Sequence, residues 1–195
     1  MTVNKRLLFG SLAVAAVVVV GAGVLAATRD NSDNASDVTD NVTLSSSNDL
    51  SPTIGTNAVV TGKALPHVDL ETLAGDTIAT ADLVGKPMVV NFWYSTCAPC
   101  KKELPAFAAV HAKLGDQVRF VGVDSLPPSD NEENFARDKG VQYELYYDPN
   151  GELTSSVGVA AFPQTLFIDA HGTILKQTGE LTADKLEELI RTTLL

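Results

Sequence analysis

Three regimes of hydrophobic and polar patterning follow one another along the chain. From Leu7 to Ala27 every residue is uncharged and most are apolar, directly behind Lys5 and Arg6. A run of this length matches a helix spanning a bilayer, and the basic flank predicts that everything after it lies outside the cytoplasm. The rival reading is a cleaved secretory signal, with Val24-Leu25-Ala26 as a small-residue cleavage site. The run exceeds the usual signal core of about 7–15 residues, which favours an uncleaved anchor. No cysteine stands directly after it, so a lipid anchor is excluded. Residues 1–27 are therefore read as anchor or signal. Residues 28–60 are rich in Ser, Asp, Asn and Thr with no sustained period, the composition of a flexible polar linker. From residue 61 to 195 the pattern alternates between periods of two and of three to four, the mark of one folded α/β domain.

Within that domain, Pro66–Leu70 and Asp76–Ile78 flank Ala74-Gly75 and predict a short hairpin. Ala81–Gly85 predicts one helical turn closed by glycine. Met88–Trp93 is too apolar for a strand with one wet face, so it belongs in the centre of a sheet. Leu104, Phe107, Ala108, Val110 and Leu114 recur at helical spacing and predict a helix from Ala98 to Leu114, kinked at Pro105. Arg119–Asp124 reads as a buried strand. A helix capped by Asp130 follows, running through Lys139 and ended by Gly140. Leu145–Tyr147 is a short strand, and Glu152–Val157 a short helix. Thr165–Asp169 and Thr173–Gln177 form a hairpin around Ala170-His171-Gly172. Thr182 caps a last helix that turns Leu186, Leu189 and Ile190 inward.

Composition narrows the function. With 14 Lys and Arg against 24 Asp and Glu, the net charge of −10 argues against nucleic acid or an anionic membrane surface as the main partner. The chain has two cysteines, Cys97 and Cys100, in the run Tyr94-Ser95-Thr96-Cys97-Ala98-Pro99-Cys100. They stand between the predicted central strand and the predicted long helix. A thiolate is the species that attacks a disulfide, and a helix N-terminus favours an anion through its unpaired N–H groups and dipole. Cys97 sits where those groups point, Cys100 lies one turn inside, and Pro99 suits a first turn. A zinc site would need a second close pair of ligands. His67, His111 and His171 are scattered singly, so no metal is expected.

These residues resemble the thioredoxin superfamily, most closely its TlpA/ResA-like redoxin (AhpC/TSA-like) branch. The resemblance runs from about Gly62 to the C-terminus. It rests on Gly85-Lys86-Pro87, Val90-Asn91-Phe92-Trp93, the C-x-x-C, Lys102-Glu103-Leu104-Pro105 and Ala161-Phe162-Pro163-Gln164-Thr165-Leu166-Phe167-Ile168-Asp169, in that order. It implies a thioredoxin fold: a mixed central sheet flanked by helices, an N-terminal hairpin, and a helix–strand insertion between Asp124 and Asp148. It implies Cys97 as nucleophile and Cys100 as resolving thiol of a redox-active disulfide, with Pro163 as the cis-proline beside them. Phe162, Trp93 and Thr96 join Pro163 as the expected substrate-facing positions. Thioredoxin's buried aspartate is replaced here by Asn91, and Glu103 matches a glutamate of ResA-like chains that would shuttle protons if buried. Otherwise Glu103 belongs to an exposed Lys-Lys-Glu patch. Thr96 stands where the branch usually has tryptophan.

The activity implied is reduction of disulfides in exported proteins, apocytochrome c among them, by electrons from a CcdA/DsbD-type membrane thiol carrier. No cofactor and no nucleic acid enter. The competing readings are an oxidant or isomerase of secreted-protein disulfides, and a thiol- or haem-binding module without turnover. A thiol peroxidase is disfavoured, because the peroxiredoxin pattern of Pro and Thr before the cysteine is missing from this chain.

Overall fold

A computed structural model describes residues 57–195, and the expected anchor lies outside them. The domain is built outward from β3, Met88–Trp93, in which all 6 residues are buried. A strand apolar on both faces is stable only with a layer on each side, and both layers are present. Met88, Val90 and Phe92 enter one core, and Val89 and Trp93 the other. The alternation is that of a pleated strand.

The N-terminal hairpin is β1 (Asp69–Glu71) against β2 (Thr77–Ala79), with Leu70 opposite Ile78. A 3-10 turn over Thr80–Leu83 takes the place of the expected helical turn, and Gly85 follows at φ +124°. Parallel to β3 runs β4 (Arg119–Asp124), and parallel to β4 runs β5 (Glu144–Tyr147). On the other side, β6 (Gln164–Ile168) is antiparallel to β3 and to β7 (Ile174–Thr178). The seven-stranded sheet has the order β2-β1-β5-β4-β3-β6-β7.

Four helices complete the layers. These are α1 (Ala98–Leu114), α2 (Asp130–Asp138), α3 (Glu152–Ser156) and α4 (Ala183–Thr193). The core that contains Trp93 also holds Leu104, Phe107 and Val110 of α1, Ala136 of α2 and Leu186 and Ile190 of α4. The opposite core takes Leu153 of α3. The pair α2 and β5 is the insertion expected between Asp124 and Asp148.

Pro105 lies inside α1, which keeps the expected span from Ala98 to Leu114. Two expectations are corrected. Ser129, not Asp130, caps α2, its hydroxyl accepting from the Glu132 N–H at 3.3 Å. Asp130 falls instead in the first turn with Glu132 and Glu133, where acidic side chains suit the helix dipole. The second concerns the linker, expected to reach residue 60. Asn57–Val60 already belong to the domain, with Val60 buried and its N–H given to Gln177 Oε1 at 2.6 Å.

Gly122, opposite Asn91 in the β3–β4 register, marks a close approach. A Cβ there would meet Leu145 Cδ2 at 2.6 Å and Trp93 Nε1 at 3.1 Å. Gly122→Ala is therefore expected to destabilise by about 1–3 kcal/mol, the usual cost of overpacking, read as a lower urea midpoint at unchanged slope.

Candidate active site

Cys97 and Cys100 are joined as a disulfide across the first turn of α1, with 5.2 Å between their Cα atoms. Cys97 is the N-cap of that helix, and its Sγ accepts the Cys100 N–H at 3.2 Å. The helix thus begins on the sulfur itself. Its first orphan donors point at the atom on which negative charge appears once the bond is reduced. Pro99, in the same turn, withholds no donor that the helix needs. Cys97 keeps 5% of its surface exposed and Cys100 none, so approach from solvent is to Cys97. Exposed Thr96 and Ala98 flank it.

Glu103 lies one turn past Cys100 on the same face of α1. It is only 1% exposed, which removes the reading of a surface patch. Asn91 Nδ2 donates to its Oε1 at 2.7 Å and the Leu181 N–H to its Oε2 at 3.1 Å. Burial is the larger influence and pushes its pKa up to about 7, against the two hydrogen bonds that favour the anion; the Glu180 charge adds to the rise. Asn91 occupies the position of thioredoxin's aspartate, so here the carboxyl sits on the helix and the amide on the strand.

The register Phe92↔Gln164 sets Pro163 level with the end of β3, where the Tyr94–Cys97 loop begins. The Phe162–Pro163 peptide is cis. Phe162 is half-buried and meets Tyr94 edge to face at 5.1 Å. Thr96, Phe162 and Pro163 therefore stand around the cysteine loop. Trp93, expected to face substrate, does not. It is fully buried, and its ring stacks on Phe135 of α2 at 6.3 Å. The cause is pleat parity: residues 89, 91 and 93 share the face covered by α1.

Several neighbours of the site have no local signature in the sequence. Tyr94 is one. Asn57 is another: its Oδ1 accepts the Ala160 and Ala161 N–H groups at 2.7 Å each, and its Nδ2 donates to the Ala161 carbonyl at 3.0 Å and to Gln164 Oε1. One amide thus ties down the loop that carries Phe162 and Pro163. A third is Glu132 of α2, which receives both the N–H and the hydroxyl of Ser95, the N–H at 2.8 Å. Glu132 also faces Asp124 at the end of β4, which is fully buried.

The profile of the AhpC/TSA family matches residues 61–177. The thiol-disulfide oxidoreductase ResA of Bacillus subtilis (strain 168) is 29% identical over 136 residues, 69% of this chain and 76% of ResA. Among solved structures, MTB DsbF in its mixed oxidised and reduced forms superposes with a TM-score of 0.59 at 28% identity, covering 65% of this chain and 94% of DsbF. A secreted Mycobacterium tuberculosis disulfide oxidoreductase homologous to E. coli DsbE gives a TM-score of 0.58 at 25% identity, covering 65% of this chain and 96% of that one. With the sheet order and the disulfide at the mouth of α1, these likenesses make the architecture a thioredoxin fold. The chain belongs to the AhpC/TSA family, as a thiol–disulfide oxidoreductase whose C-x-x-C pair is Cys97 and Cys100.

Proposed function

We propose that the domain acts outside the cytoplasm and reduces disulfides in exported proteins, the haem-attachment cysteines of apocytochrome c among them. In the reduced enzyme the Cys97 thiolate attacks one sulfur of the client disulfide. A mixed disulfide forms, and the first client thiolate leaves and takes up a proton from water. Cys100 then gives its proton to Glu103 and attacks Cys97 Sγ. The Cys97–Cys100 bond forms, the second client thiolate leaves and takes up a proton from water, and two electrons have passed to the client. A membrane dithiol carrier of CcdA/DsbD type restores the dithiol by the same exchange in reverse.

The observation that carries this reading is Glu103. A sealed carboxyl with a pKa of about 7, one turn from the resolving sulfur, suits a group that accepts and returns a proton in each cycle. A module that only held thiols would have no use for it. Reduction rather than oxidation is favoured by the uncharged Ala98-Pro99 between the sulfurs, since those residues tune the leading thiol. The apolar run ahead of residue 28 and the secreted relative support export.

Trapping tests the proposal. Cys100→Ser leaves Cys97 able to attack and unable to be released, so exported clients are expected as covalent adducts that dissociate with dithiothreitol. Association that persists when both cysteines are replaced would mean a holding module. A reduction potential near that of thioredoxin, about −270 mV, fits a reductant, and one near −120 mV overturns the direction.

A further inference from the structure

The mechanism above leaves one pair of buried acids unused. Asp124 ends β4, pairs in register with Trp93 of β3 and is fully buried. Its Oδ1 accepts the Leu126 N–H at 2.9 Å, while its Oδ2 has no donor among the described residues. Glu132, 7% exposed, faces it from the first turn of α2. Both oxygens of Glu132 hold Ser95, two residues ahead of Cys97.

The other groups around the pair are accounted for. Tyr147 of β5 faces Asp124 and gives its hydroxyl to Glu133 at 2.9 Å. Arg137 of α2 is engaged by Glu133 and by the Val141 and Tyr143 carbonyls. Lys101 of α1 and Lys139 beyond α2 stand over the Phe135 ring, at 5.7 and 5.5 Å. Among the described residues neither Asp124 nor Glu132 has an ion pair. Two carboxyls facing each other without a cation do not both ionise readily; one proton between them satisfies the orphan oxygen.

We propose that Asp124 and Glu132 form a one-proton carboxyl pair that positions Cys97 through the Ser95 loop, and that loss of this proton releases the loop. With the proton present, Asp124 Oδ2–H donates to Glu132, and Glu132 as carboxylate accepts the two bonds from Ser95. With the proton lost, two buried negative charges oppose each other. The less deeply buried partner is the one able to swing away, and Glu132 takes its hold on Ser95 with it. Burial, with Glu132 adding to it, places Asp124 at about 8, so the release falls in the mildly alkaline range.

The inference rests on Cys97 being the attacking sulfur and is independent of client and of direction. Two measurements test it on the full chain. The first is fluorescence of Trp93, the single tryptophan and the cross-strand partner of Asp124, followed from pH 5 to 10 in the oxidised protein, where no thiol titrates. The second is the rate of Cys97 alkylation by iodoacetamide in the reduced protein, corrected for thiolate fraction. In the wild type the fluorescence is expected to inflect at about pH 8. The corrected rate is expected to fall above that pH, by up to the roughly hundredfold that a misplaced reacting group can lose.

Asp124→Asn is expected to abolish the inflection and the fall. Glu132→Gln removes the opposing charge and is expected to move the inflection down by about one pH unit. If the wild type and Asp124→Asn superimpose in both measurements, the pair only packs the core and the proposal is wrong. If Asp124→Asn does not fold, an inflection unmoved in Glu132→Gln overturns it equally. A Cys97 that alkylates like free cysteine in every variant would instead sink the reading of Cys97 as nucleophile, while the fluorescence still reports on the pair.

Discussion

Glu103→Gln is expected to slow dithiol–disulfide exchange about a hundredfold at pH 7, the lower range of what a positioned acid–base group contributes. Glutamine keeps the shape and can still meet Asn91 and the Leu181 N–H. It cannot take a proton from Cys100. The deficit should therefore appear in resolution of the mixed disulfide and not in its formation by Cys97. Stopped-flow measurement on a small disulfide client separates the two steps. The wild-type resolving rate is expected to inflect at about pH 7, where the buried carboxyl titrates, and the variant to lose that inflection. A variant that resolves at the wild-type rate across the pH range would show that water, not Glu103, removes the proton.

The same residue makes the oxidised domain less stable in alkali than in mild acid. Glu103 titrates at about 7 in the fold against 4.5 unfolded, so the folded chain binds this proton more tightly. Stability from this source is whole below pH 4.5, declines as pH rises between 4.5 and 7, and is gone above. At 1.36 kcal/mol per pH unit, that window corresponds to roughly 3 kcal/mol. Asp124 acts with the same sign up to about pH 8. Urea unfolding at pH 5 and pH 9 is expected to show the wild type weaker at the higher value. Glu103→Gln should recover the part of that difference lost by about pH 7, because a neutral amide has no charge to bury, and should leave the part that Asp124 contributes. A wild type equally stable at both values would mean that Glu103 is solvated after all.

What could be read from the sequence was whatever neighbouring residues decide among themselves. The limits of α1 follow from Cys97 as cap, Pro99 in the first turn and the stripe from Leu104 to Leu114. β3 announces its central place by apolar side chains on both faces. The site's chemistry was only partly visible, since its partners are brought together by the fold. Lys101-Lys102-Glu103 looks like a wet surface. What buries Glu103 is Asn91 from β3 and Leu181 ahead of α4. The resemblance sets Trp93 toward the client, whereas the pleat turns it into the core against Phe135 of α2. Ser95 gives no hint of Glu132, nor Asn57 of Ala160, because each pair is closed by a loop of chain that the local pattern does not encode.

The Asn57 clasp has a practical use. Val59, two residues on, is 76% exposed, and the Ala58 carbonyl between them is held by Gln177 Nε2 at 2.9 Å. A dye carried at Val59 would hang from a fixed stalk beside the Phe162 loop. Its anisotropy or energy transfer would register the arrival of a client in real time, with the redox centre left chemically untouched.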